Sequence, residues 1–345
     1  MQNFTVSELV DRHRISLSQI DRFEWAKVDR ISLLEEKLNA LNKANKIKLA
    51  LDHLIESEIF FICLKGFALS NRLYQDPSIR FSKDIDILVP NRNEVILLSQ
   101  KLQKKGWARV DQNWAEELPR RDWYMNLTTH LTLEEPKTGV FLEIHWELNN
   151  QLLNISQEEL KSFLIPHVEK MLVMNKLVHI LSPELELLYL LVHGAKHAWF
   201  RLKWLVDIHH YPFHLIDRNK FEKLVEKFRL HEIIAQTDEL LKTYFGKGFP
   251  FQIEGRVKSF LVNQSKQRIK DREWDTSLTL SQFTNSLVYN WFLTNEKKIA
   301  ISIFFKTIFI RAHDIAEVKL DSYWKYYFYR YYSLLNRKVL KRADI

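Results

Sequence analysis

Between residues 31 and 150 the hydrophobic pattern changes its period, and that change restricts the chain to a sheet embedded among helices. From Ile31 to Ile55, the residues Leu33, Leu34, Leu38, Leu41, Ile47, Leu49, Leu51 and Leu54 recur at spacings of three and four among charges, which predicts an amphipathic helix or helix pair. The run Ile59-Phe60-Phe61-Ile62-Cys63-Leu64 is then continuously apolar and stops at Lys65-Gly66, the pattern of a buried strand closed by a turn. Phe67 to Tyr74 reads as a helix starting at that glycine. Asp84 to Val89 alternates, with Asp84, Asp86 and Leu88 on one face and Ile85, Ile87 and Val89 on the other, before Pro90 ends the run. Asn91 to Lys105 returns to helical spacing. Thr128 to Glu134 and Val140 to Trp146 predict a hairpin across Glu135-Pro136-Lys137-Thr138-Gly139, with Phe141, Glu143 and His145 sharing a face.

Beyond about Asn150 strand patterns fade and helices dominate, one of them announced by Ser182-Pro183-Glu184: a capping hydroxyl, proline in the first turn and an acid at the positive end of the dipole. Only 7 glycines occur, in keeping with a mostly helical chain. The expected division is a helical lead-in over 1–57, a mixed core over 58–150 and a helical domain over 151–345. With 345 residues, 46% of them hydrophobic, such a chain can bury a large core.

Charge and cysteine usage narrow the setting. The net charge is +8, yet residues 296–345 hold 11 Lys+Arg against 5 Asp+Glu, so this end carries +6 and the rest only +2. Aromatics are interleaved there, from Tyr323 to Tyr332. The pattern fits a weak contact with an anionic surface; it fits better a helix that packs its aromatics inward under a basic outer face. The single cysteine, Cys63, excludes an intrachain disulfide and a cysteine zinc cage and suits a reducing cytoplasm. The amino terminus lacks the charge and apolar pattern of a signal peptide, and Ile299–Ile310, interrupted by Lys306, falls short of the ~20 residues of a membrane span, so no transmembrane segment is expected.

Two aspartates one residue apart on a strand face supply convergent oxygens whose mutual repulsion is relieved by a hard dication. A third acid, Glu143, lies on a strand that can neighbour the first. Alone, Asp84-Ile85-Asp86 is a weak signal, since solvent-facing strands often carry acids. Its context is more specific: LKGFAL at 64–69, RFSKDIDILV at 80–89, FLEIHWEL at 141–148 and HGAKHAWFRLKWLVDI at 193–208. In this order the segments resemble the DNA polymerase beta-like nucleotidyltransferases, within them a poorly characterised bacterial branch. The resemblance implies an α+β fold, with a polymerase beta-like nucleotidyltransferase core of mixed sheet flanked by helices and a mainly helical C-terminal domain. It implies in-line transfer of a nucleoside monophosphate, AMP being one option, from a nucleoside triphosphate to an acceptor that is a small molecule, an RNA or a protein. Asp84, Asp86 and Glu143 would hold magnesium or manganese, and Lys65, Gly66, Arg80, His193, His197 and Arg201 would meet the nucleotide.

The chain departs from the family at the phosphate turn, where Lys65-Gly66-Phe67 replaces the usual Gly-Ser or Gly-Gly. Lys65 as a point charge, or Ser70 or Asn71 one turn later, is the available substitute. A degenerate member serving as a binding or assembly module is the alternative reading. His193, His197 and Arg201, four apart, would line one face if their helix continues that far; packing beside Trp199 and Trp204 explains the histidines equally well. Gly194 stands where a zinc protease motif needs glutamate, and His145 is expected to be half-buried and hydrogen-bonded. Asp207 follows Lys203 at pairing distance along a helix. P-loop, Rossmann, protein-kinase and serine-elbow motifs are absent, which excludes those chemistries on sequence.

Overall fold

The computed structural model describes residues 4–80, 82, 84–110, 114, 117–148, 152–153, 155–252, 255–271, 280–294, 300–301, 315 and 318–340. Side-chain caps start three of the first four α-helices. Ser16 forms a capping box with Gln19 ahead of α1 (Leu17–Arg22), and the Asp29 side chain accepts from Ser32 N to open α2 (Arg30–Ile55). Asn91 Oδ1 accepts from the amides of Asn93 and Glu94 at the head of α4 (Arg92–Lys104), after α3 (Gly66–Tyr74) and β2 (Asp84–Leu88). The remaining elements of the core are β1 (Ile62–Cys63), β3 (Ala108–Arg109), α5 (Arg120–Leu127), β4 (His130–Glu135), β5 (Val140–His145), α6 (Gln157–Leu164), β6 (Val168–Val173) and β7 (Lys176–Leu181).

The strands form one mixed seven-stranded sheet in the order β3-β4-β5-β2-β1-β7-β6. Its centre is β2, antiparallel to β1 and parallel to β5. Here the strand count exceeds the expectation. Strands were not expected after Asn150, but β7 pairs parallel with β1 and β6 closes that edge, so the sheet extends to Leu181 rather than ending at 150. The two-residue connection Met174-Asn175 has φ of 50° and 63°, the left-handed pair that a tight hairpin turn demands, without the glycine that normally advertises one.

Because side chains alternate along a strand, the sheet builds two cores. Ile85, Ile87, Leu131, Leu133, Leu142 and Ile144 pack beneath the second half of α2 and beneath α4. On the opposite face Ile62, Leu64, Leu88 and Leu181 meet α7 (Pro183–Lys196), α8 (Leu202–His209) and α10 (His231–Phe245). Ser182 caps α7 with Pro183 in its first turn, as the sequence predicted. The first half of α2 departs from the amphipathic expectation: Ile31, Leu34, Leu38 and Leu41 are exposed.

Further helices follow at α9 (Arg218–Phe228), α11 (Ser259–Lys270), α12 (Leu280–Phe292) and α13 (Tyr323–Leu340). Helix α13 buries Tyr326 and Arg330, whereas Trp324, Phe328, Tyr331 and Tyr332 stay exposed, so the inward packing expected of these aromatics holds only in part. The apolar stretch 299–310 lies mostly outside the described residues. Among the described residues no helix is long and apolar enough to cross a membrane.

Candidate functional site

The site grows from the register of two parallel strands. Asp86 on β2 lies directly opposite Glu143 on β5, with Asp84 opposite Phe141 and Leu88 opposite His145. Period-two alternation therefore puts Asp84, Asp86, Glu143 and His145 on one face while Ile85 and Ile87 anchor the other. The hairpin adds a residue the sequence reading did not single out: His130 on β4 is the cross-strand partner of His145, their ring centroids 4.9 Å apart.

Charges at this face are tightly interlocked. Lys65 Nζ lies 3.0 Å from Asp86 Oδ1, and His145 Nε2 lies 3.3 Å from the same oxygen and 3.4 Å from Glu143 Oε2. Burial alone would raise the Asp86 carboxyl, but the Lys65 cation and the His145 hydrogen bond hold it well below the usual range. Asp84 shifts the other way, raised by burial and then by the negative charges of Asp86 and Glu143. Burial pulls Lys65 down, yet the Asp86 carboxylate outweighs it and keeps the ammonium charged. His145 is likewise lowered by burial and raised on balance by its hydrogen bonds to Asp86 and Glu143.

Gly66 has φ +64°, and a Cβ there would come within 3.0 Å of Ser82 Oγ and 3.4 Å of the Asp84 carbonyl. Ser82, a second residue missed from sequence, donates its hydroxyl to that carbonyl at 2.8 Å and so brings a hydroxyl beside the Lys65-Gly66 turn. Ser70 does not fill that role: it is fully buried, donates to the Asp76 carbonyl at 2.7 Å and accepts from Arg80 N at 3.0 Å. Asn71 donates to the Leu172 carbonyl at 3.4 Å.

Arg80, expected at the nucleotide, is 6% exposed and grips Asp207 through two bonds of 2.8 and 2.9 Å. Asp207 thus pairs with Arg80 and not with Lys203. Lys203 is instead pushed down to about 7, first by burial and then by Arg80, and its charge acts on Asp84. Helix α7 brings Tyr189 beside Lys65 and His193 into the field of Lys65 and Asp86. His193 and His197 share a face, but they pack around Trp204: the His197 ring stacks on it at 5.2 Å and the His193 ring meets its edge at 5.5 Å. Burial keeps both neutral, His197 at about 3.

The helix does not continue to Arg201. It ends at Lys196, Ala198 and Trp199 adopt left-handed φ of 49° and 56°, and Arg201 becomes the cap residue of α8 with its guanidinium 4.9 Å over the Phe200 ring. Trp199, fully buried, causes the break by folding its ring back against Gly194. Cys63 is buried, its thiol pushed up to about 12 by burial, and is no nucleophile.

Three carboxylates thus share one sheet face, with lysines on the adjoining helix starts. No curated protein matches the chain. The family model described as "Uncharacterised nucleotidyltransferase" matches residues 10–246, more than half of the 345 residues and the whole of the sheet. The chain therefore belongs to this family of uncharacterised nucleotidyltransferases.

Proposed function

We propose that the protein transfers a nucleoside monophosphate, AMP being the first candidate, from a nucleoside triphosphate to an acceptor hydroxyl or phosphate. The observation that carries this reading is the parallel register of β2 and β5, which sets Asp86 against Glu143 with Asp84 on the same face. The clustering of negative charge fits a dication, since Asp84 is raised by burial and then by Asp86 and Glu143, and a cation among the three would relieve that repulsion.

Asp84, Asp86 and Glu143 would hold magnesium or manganese, which neutralises the triphosphate and acidifies the attacking hydroxyl. The residues of the chain do the rest. Lys65 and Lys203 offer positive charge to the phosphates from the starts of α3 and α8. Gly66 allows the triphosphate to approach the backbone, and Ser82 offers a hydroxyl beside it. Arg80 acts at a distance: bound to Asp207, it ties the segment before β2 to α8.

Transfer of label from an α-labelled nucleoside triphosphate into a metabolite and RNA extract tests the reading. Labelled product with the wild type and none with Asp84→Asn, Asp86→Asn supports it; equal labelling by both contradicts it. A second reading, a degenerate member that binds without transfer, is favoured by the Lys65–Asp86 pair, which places an ammonium where a cation would sit. It predicts triphosphate binding without labelled product.

A further inference from the structure

We infer that the protein carries a second cation site, built from His130, Glu143 and His145, that takes a divalent transition metal of borderline softness, such as zinc or cobalt. The site shares Glu143 with the proposed magnesium site but needs neither nucleotide nor transfer chemistry.

The three donors come from adjacent strands of one hairpin. His130 and His145 are direct cross-strand partners, and Glu143 precedes His145 by two, so all three project from the same face. One donor atom from each falls within 4.8 Å of the others: Glu143 Oε2 lies 3.4 Å from His145 Nε2 and 4.0 Å from His130 Nε2. Bonds of about 2.1 Å to a four- or six-coordinate cation require donor separations of about 3.0–3.4 Å, so the Glu143–His145 pair already fits and His130 has to move inward to complete the set.

The donor types choose the metal. Magnesium, calcium and manganese favour oxygen ligands, whereas two imidazoles and a carboxylate suit zinc and cobalt. Thr129 Oγ1, 3.4 Å from His130 Nδ1, leaves the Nε2 of that ring directed at Glu143. On the other side Asp86 Oδ1, which also pairs with Lys65, lies 3.3 Å from His145 Nε2 and would make a fourth ligand and second oxygen. The ligand set leaves positions open toward the face that holds Asp84. That is the arrangement of a reactive centre and not of a closed structural one.

Buried lysine and histidine beside Asp86 do not contradict this. Lys65 compensates Asp86 at 3.0 Å, and His145 Nε2 lies within reach of both Asp86 and Glu143. His130 lies at the rim, its side chain 38% exposed, so the site is reachable from solvent.

The test is titration of the nucleotide-free protein with cobalt, read by its visible absorption, for the wild type, His130→Gln and Asp84→Asn. The wild type should bind cobalt and yield it to zinc. His130→Gln should bind roughly 10–100-fold more weakly or worse, because loss of even a supporting partner costs that much. Asp84→Asn should bind cobalt as the wild type does while losing magnesium-dependent triphosphate binding, which separates this site from the proposed catalytic one. Should His130→Gln fail to fold, paramagnetic shifts of both the His130 and His145 ring signals by cobalt in Asp84→Asn give the same information. Absence of cobalt binding, undiminished affinity in His130→Gln or a His130 ring signal that cobalt leaves unshifted would each overturn the inference, and none of these readouts depends on triphosphate binding or labelled product.

Discussion

Asp84 and Asp86 project from one strand face into opposite fields, one raised by burial and acidic neighbours, the other held down by Lys65 and His145. The difference arises from their partners, and partners were the least legible part of the sequence. Alternation placed both acids on one face, but only the parallel pairing with β5 set Glu143 against Asp86. Arg80 was misread for the same reason, because nothing along the chain shows that Asp207 will lie beside it. The pairing predicts that Asp207→Asn strands a buried guanidinium and lowers stability by about 3–5 kcal/mol, measurable by denaturant unfolding. Nucleotide affinity of the folded fraction should change little; a large loss of affinity with unchanged stability would return Arg80 to the triphosphate. At the turn, Gly66→Ala forces a side chain into φ +64° and against Ser82 Oγ. The expected result is a loss of about 1–2 kcal/mol with a disproportionate fall in nucleotide binding, because the Asp84 carbonyl is part of the contact.

At the level of elements, the hairpin of β4 and β5 was plain because a glycine-containing connection separates two alternating runs. His130 was recoverable too: pairing across that turn sets it opposite His145. Strands β6 and β7 were not legible. Their turn is Met174-Asn175, and Leu172 and Leu177 face outward, so neither turn chemistry nor alternation marks them. The end of α7 was equally silent, since Trp199 breaks the helix by burying its ring, without glycine or proline to signal it. That packing is testable. A Cβ on Gly194 would stand 2.2 Å from Trp199 Cζ3, so Gly194→Ala should cost about 1–3 kcal/mol through overpacking, read as a lowered melting temperature. An unchanged melting temperature would mean the ring does not hold this position.

Across the whole molecule, the N-terminal segment is tied to the helical layer by a histidine. His13, fully buried, accepts from Leu202 N through Nδ1 at 3.2 Å and is pulled down to about 4, first by burial and then by Arg12. The unfolded chain protonates this ring near pH 6.5, so between 6.5 and 4 the unfolded state binds more protons and stability falls as pH drops. The contribution is up to about 1.4 kcal/mol per pH unit. Urea midpoints at pH 7, 6 and 5 should fall for the wild type and less steeply for His13→Gln; parallel slopes would remove His13 as the cause.

The central claim is that the strand pair β2 and β5 gathers acids for a cation-bound triphosphate. Calorimetric titration of magnesium with nucleoside triphosphate into the wild type and into Asp84→Asn, Asp86→Asn tests it most directly. The account predicts saturable heat from the wild type and none from the double variant; equal heats from the two proteins would contradict it.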